Sequence, residues 1–212
     1  GLSMAIAAPI GAAASQVGTL IMWATEQAPL IMGILVSVIV GVALTLPISS
    51  AAICAALGLT GLAGGAAVAG CCAQMVGFAV MSYKENGVGG LVSQGLGTSM
   101  LQMGNIVKNP RIWIAPTLAS AITGPLATCL FHFEMNGAAV SSGMGTCGLV
   151  GQIGVYTGWV NDIAAGTKAA ITPMDWAAMV LLCFVLPAVL SVVFCQIERK
   201  LGWIKEGDLK LN

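Results

Sequence analysis

Apolar residues in this chain come in runs of about 20, the length that crosses a bilayer as a helix, and the breaks between them are short and polar. The first run covers Ser3 to Trp23 and ends at Glu26-Gln27. The second covers Ala28 to Leu46 and stops at Pro47-Ile48-Ser49-Ser50. There proline removes a backbone donor and serine hydroxyls offer an alternative. Ser50 to Leu59 is apolar but too short to cross, which predicts a re-entrant or broken helix. The third run is Gly61 to Tyr83, followed by a polar loop over Lys84 to Gly90. Leu91 to Val107 has the polarity of a half-crossing, and Lys108-Asn109-Pro110-Arg111 forms the next turn. Ile112 to Phe133 is a span interrupted by Pro116 and Pro125, and Glu134 to about Trp159 is Gly-rich. Val160 to Thr172 reads as a polar connector, Asp175 to Ile197 as the last span with Pro187 inside it, and Glu198 to Asn212 as a charged tail, solvated over Glu198 to Lys210.

Alternation every second residue, the mark of a membrane barrel, is missing from these runs. The prediction is an all-α, polytopic helical membrane protein with about five to six spans and two re-entrant Gly-rich half-helices. Residues 1–197 form the membrane domain and 198–212 a cytoplasmic tail. The tryptophans Trp23, Trp113, Trp159, Trp176 and Trp203 fall at predicted segment ends, where aromatic belts sit.

The two half-helices share a motif. Gly90 to Leu101 reads GLVSQGLGTSML and Ser141 to Gln152 reads SSGMGTCGLVGQ, each with G-[LM]-G-T beside Ser and Gln. Glycine is a poor helix residue and exposes its backbone. Irregular backbone at membrane depth is tolerated only where protein or a water-filled cavity covers it. Two such segments entering from opposite faces would meet near the midplane. Gln94, Gly97, Thr98, Ser99, Gly145, Thr146 and Gln152 would then present hydroxyls, amides and bare backbone without charge. That lining suits a neutral polyhydroxylated solute better than an ion. Small-residue motifs also let helices pack closely, but paired Gly- or Pro-broken segments are the usual pointer to a transporter site. Thr45-Leu-Pro-Ile-Ser-Ser50 and Ala115-Pro-Thr-Leu-Ala-Ser120, one upstream of each motif, are loosely alike and suggest an internal repeat.

Composition sharpens the picture. The chain is 58% hydrophobic and 8% charged, against about 25% charged in soluble domains; mean hydropathy is +0.94. The net charge of zero and the lack of basic runs exclude nucleic acid as a partner. If both half-helices return to the face they left, Lys84, Lys108, Arg111, Arg199, Lys200, Lys205 and Lys210 share one face and only Lys168 lies opposite. That bias makes the basic face, and the C-terminus, cytoplasmic.

Seven cysteines without a CxxC pair, and a single histidine, give no metal spacing and no cofactor site. No nucleophile–base pair, phosphate loop or paired carboxylates appear, so no catalytic residue is expected. Glu134, just after His132 and Phe133 at the end of a span, is the acid with a functional reading. It can hydrogen-bond sugar hydroxyls or carry a proton with His132 as relay partner, or it can be an interfacial carboxylate in water.

Asn109 to Thr128 (NPRIWIAPTLASAITGPLAT), with GLGTSMLQMGNIV before it and GMGTCGLVGQIG after it, resembles a family of bacterial membrane proteins of the phosphotransferase-system enzyme IIC-like, or perfringolysin O regulator, type. Leu44 to Gly87 is similar to that family as well, and the resemblance covers roughly Ala28 to Tyr156. It implies a permease-type domain in the bacterial inner membrane that binds a sugar and acts with separate IIB and IIA phosphocarrier proteins. It also implies that early spans are missing from this chain and that a homodimer forms. Two other readings stay open: a membrane regulator or sensor without transport, and an ion-coupled carrier or channel that uses Glu134.

Overall fold

The computed structural model describes residues 2–211, with side chains described from residue 9 onward. Gly1 and Asn212, the outer limits of the two predicted regions, lie outside the described residues. The chain is all-α. Its helices are α1 (Leu2–Gln27), α2 (Pro29–Thr45), α3 (Ser50–Leu57), α4 (Gly61–Met81), α5 (Tyr83–Val92), α6 (Met103–Lys108), α7 (Ile114–Pro125), α8 (Val150–Ala164), α9 (Pro173–Val180) and α10 (Leu186–Lys200). Local chemistry sets several boundaries. The Ser49 hydroxyl caps α3 by accepting from the Ala52 N–H, and Gly58, at φ 63°, ends it in the left-handed conformation. Thr172 and Asp175 form a reciprocal capping box that starts α9. Wider π turns at Leu126–Leu130 and Leu181–Val185 sit beside Pro125 and Pro187, whose missing N–H interrupts the helical ladder.

Among the described residues, three continuous helical stretches, Gly61–Met81, Pro110–Leu130 and Pro173–Lys200, are long and apolar enough to cross a membrane. The 17-residue α2 is also apolar. α4 is the axis of the molecule: 94% of its apolar window is enclosed by protein, against 39% for the Pro173–Lys200 stretch. It is wrapped by α2, α7 and α10. The wrapping is close because the contacts are backbone on backbone. Gly41 of α2 lies against Gly70 of α4, Gly124 of α7 against Gly33 of α2, and Gly65 of α4 against the Phe133 carbonyl. The small-residue composition of Gly61 to Tyr83 thus buys approach rather than lipid solubility.

Paired residues give the chain path. α2 and α4 run the same way, and α3 brings the chain back to the end where α2 began. α7 runs opposite, with Trp113 beside Gln74 and Thr128 beside Pro29. The Pro173–Lys200 stretch runs parallel to α4 and ends with Arg199 paired to Glu85. Lys84, Lys108, Arg111, Arg199, Lys200, Lys205 and Lys210 therefore gather at one end of the bundle, with Glu85, Glu198, Glu206 and Asp208. The other end carries Lys168, Glu26, Glu134, Asp162 and Asp175. The sums are 7 − 4 = +3 and 1 − 4 = −3.

Four sequence expectations change. Val160 to Thr172 is not wholly a connector, because α8 continues through Ala164. Pro116 does not interrupt its span: it lies in the first turn of α7, where a missing N–H costs little. The tail is not simply solvated, since Ile204 and Leu209 are buried with Phe78, Ile106 and Ile112. Trp113 and Trp159 turn inward rather than toward headgroups: the Trp113 indole donates to Gln74 at 3.0 Å, and Trp159 is 6% exposed.

Candidate functional site: two hairpins that meet tip to tip

Between the long helices the chain twice enters the bundle and returns to the end it left. Hairpin 1, residues 83–108, enters through α5 and a π turn at Ser93–Gly97. It reverses at Thr98, which is extended (φ −159°, ψ 141°), and leaves through a 3-10 turn and α6. The Thr98 hydroxyl caps the outgoing arm by accepting from the Met100 N–H at 3.1 Å. Hairpin 2, residues 131–164, comes from the opposite end. Its incoming arm pairs Met135 with Gly61 in a short antiparallel bridge and continues through a 3-10 turn at Ala139–Gly143. It returns as α8.

The tip of hairpin 2 is tightly wound. Gly145, Gly148 and Leu149 all have φ between 53° and 58°. A Cβ on Gly145 would press on Cys71, so this position needs glycine for both conformation and space.

The two G-[LM]-G-T motifs sit at these tips, and the tips touch. The Thr146 hydroxyl donates to the Gly95 carbonyl across the junction. Around the contact the groups are neutral. Ser99 and Thr45 hydroxyls are 2.8 Å apart, and Thr45 also donates to Gln74 at 3.3 Å. Gln74 holds Thr117, Ser120 and Trp113 as well. Gln152 donates to the Cys72 sulfur at 3.2 Å, leaving its buried carbonyl oxygen without a partner.

Gln94 belongs to the other side of hairpin 1. It donates to Ser82 at 2.7 Å and accepts from Gln102 at 2.8 Å, away from the tip contact. Gly97 and Thr98 lie at the turn itself, Ser99 and Thr146 are fully buried, and Gly145 supports the neighbouring tip.

Glu134 and His132 are not at the tips. They line a cavity of about 420 Å3 at the root of hairpin 2, with Phe131, Asn136, Trp159, Asp162, Lys168 and Asp175. Glu134 is exposed. Its partner is Asn136, whose Nδ2 donates to Glu134 at 3.0 Å and to Asp162 at 2.9 Å. One amide thus holds two carboxylates at the cavity wall, while Lys168 is bound by Asp175 at 2.9 Å. The arm from Glu134 to Thr146 carries the chain inward, which is why an acid close to the motif in sequence ends at the mouth and not at the junction.

Additional polar positions are Gln74 and Thr45 at the junction, Gln102 beside Gln94, and Asn136 and Asp162 at the cavity. Gln74 is an isolated amide in an otherwise apolar run, the one signal that marked a buried hub. Asn136 and Asp162 are 26 residues apart, and nothing local joins them.

These features define a helical membrane protein built around paired, broken hairpins. A family model described as "Phosphotransferase system, EIIC" matches residues 1–211, and the chain belongs to that family, as the motifs in the sequence implied. It is a membrane component of a sugar phosphotransferase system, a family that works with IIB and IIA phosphocarriers. Comparison with curated proteins and with solved structures gave no match.

Proposed function

We propose that the chain binds a neutral sugar and passes it between the two hairpins, with a separate IIB protein phosphorylating it at the basic end. The observation that carries this reading is the tip contact. Two broken segments from opposite ends, lined by hydroxyls, amides and bare backbone, meet beside the most enclosed helix. Uncharged donors and acceptors match sugar hydroxyls, and no charged side chain stands among the contacts at the junction.

The cavity at the root of hairpin 2 supplies the mouth. Trp159 and Phe131 offer aromatic faces, and Asn136, Asp162 and Glu134 offer hydrogen-bonding groups. On this reading both hairpins are re-entrant in the bilayer and the structure is closed at the junction. The +3 end and the C-terminus face the cytoplasm by the positive-inside rule, in the inner membrane of a bacterium.

A thermal-shift screen of the detergent-purified protein against neutral sugars, sugar phosphates, amino acids and simple ions tests this. A ligand at 100 times its Kd stabilises the folded state by about 2.7 kcal/mol. One neutral sugar is expected to give a saturable shift. Thr98→Val and Thr146→Val are expected to weaken it about tenfold each, the size of one lost neutral hydrogen bond, with the melting transition retained. Unchanged affinity in both variants would remove the junction from the sugar path. A blank panel would favour a membrane regulator, and a shift only with ions, abolished by Glu134→Gln, would favour an ion-coupled carrier.

A further inference from the structure

We propose that the tail after α10, residues 201–211, is a latch that holds hairpin 1 in place, and that undocking it lets the tip of hairpin 1 leave the tip of hairpin 2. The tail turns back at Gly202, which has φ 72°. Trp203 then lies under the Arg111 guanidinium, 5.6 Å from the ring centre. Ile204 and Leu209 are buried against α4, α6 and the start of α7. Leu209 is fully enclosed, so the tail is anchored by a plug and not only by its charges.

Both arms of hairpin 1 are then tied to the tail backbone by amide side chains. On the incoming arm, Asn86 Nδ2 donates to the Leu209 carbonyl and Asn86 Oδ1 accepts from the Leu211 N–H, each at 2.7 Å. On the outgoing arm, Gln102 Nε2 donates to the same Leu209 carbonyl at 3.0 Å, and Asn105 Nδ2 to the Lys210 carbonyl at 3.0 Å. Gln102 Nε2 also donates to Gln94 Oε1 at 2.8 Å and so joins the two arms to each other. One tail carbonyl thus bridges arms that are 16 residues apart (102 − 86).

The inner side of the hairpin is held at the junction by Thr45 and Thr146, but its outer side is uncovered. Val88, Val92, Leu96, Leu101 and Val107 are exposed on its outer side. The incoming arm breaks at Gly87 (φ 58°, ψ −154°), a ready hinge, and a Cβ on Gly87, Gly89, Gly97 or Gly104 would touch nothing. The joint between hairpin and tail is itself open. A cavity of about 360 Å3 lies there, lined by Ser93, Leu101, Gly104, Asn105, Lys210 and Leu211. A joint made of neutral amides around a cavity separates more readily than a packed apolar seam. The side chains that link the hairpin arms to residues 209–211 are neutral amides, and one carboxylate, Asp208, ties the tail to Asn109 at 2.8 Å beyond the hairpin.

The functional consequence rests on the reading of the junction given above, but the test uses no sugar, and so its failure is distinct from failure of the sugar assignment. Hydrogen–deuterium exchange is measured on the full chain, wild type against Leu209→Asp. The expected result is at least tenfold faster exchange across residues 93–105 and at Gly145–Leu149, with α4 and α7 still protected. Faster exchange confined to residues 201–211, with 93–105 at the wild-type rate, overturns the latch. If Leu209→Asp also loses protection in α4, the milder Leu209→Ala decides: the same pattern at smaller amplitude supports the latch, and an unaffected hairpin overturns it.

Discussion

Leucine in place of Gly70 is expected to leave little folded protein to purify. Gly70 is where α2, α4 and α7 converge. A Cβ there would overlap the Ser37 carbonyl and Cα, which are backbone atoms with no rotamer to change. The same spot carries hydrogen bonds that require the present spacing. Ser120 Oγ donates to the Gly70 carbonyl at 3.2 Å, and Ser37 Oγ donates to the Ser120 carbonyl at 2.8 Å. Moving α2 outward therefore breaks polar contacts as well as packing. Overpacking an ordinary core costs about 1–3 kcal/mol because side chains give way; here the cost exceeds that range. Gly104→Ala is the control. Its Cβ meets nothing within reach, and alanine gains up to about 1 kcal/mol of helix propensity. Size-exclusion yield and melting temperature separate the two: a Gly70→Leu protein that melts within a degree or two of wild type would disprove the close packing of α2 on α4.

Gln74→Leu is expected to cost about 1–3 kcal/mol, the usual penalty for stranding a buried polar group. The magnitude follows from what each partner keeps. Thr45 retains Ser99, Thr117 retains the Trp113 carbonyl, and Ser120 retains the Pro116 and Gly70 carbonyls. The Trp113 indole N–H loses its acceptor. A double-mutant cycle isolates that term. Trp113→Phe is expected to destabilise the wild type more than it destabilises the Gln74→Leu protein. Equal costs in the two backgrounds would mean that the indole does not depend on Gln74.

Much of this architecture could be read in advance because the bilayer makes local patterns decisive. Apolar run length set the spans, and the glycine motifs marked where helices break, at Gly95–Thr98 and Gly143–Thr146. The charge bias, with Lys84 and Lys108 on one face, favoured a hairpin 1 that doubles back. Long-range polar pairing was not legible. Nothing beside Gln102 announces that its amide meets the Leu209 carbonyl 107 residues later. Nothing beside Asn136 announces Asp162. Ile204 and Leu209 are isolated among charged residues, so the tail read as solvated although its two apolar side chains dock. Glu134 reads as an acid at the end of a span, but nothing beside it announces that it shares a cavity with Asp162 and Lys168.

The enclosure of α4 bears on how the protein is made. α4 is less hydropathic than the Pro173–Lys200 stretch, although it lies deepest. Its glycines, alanines and Gln74 suit neighbouring protein rather than lipid. Thr45, which donates to the Gln74 carbonyl, is already made, but the acceptors of the Gln74 Nε2 are synthesised later: Thr117 follows it by 43 residues. At translation rates of about 5–20 residues per second, α4 waits roughly 2–9 s with its amide nitrogen unmatched. Ser191 of α10, which packs on Gly77, arrives later still. The innermost helix is thus placed before two of its three walls, α7 and α10, and factors that shield nascent membrane helices would act on this protein during that interval.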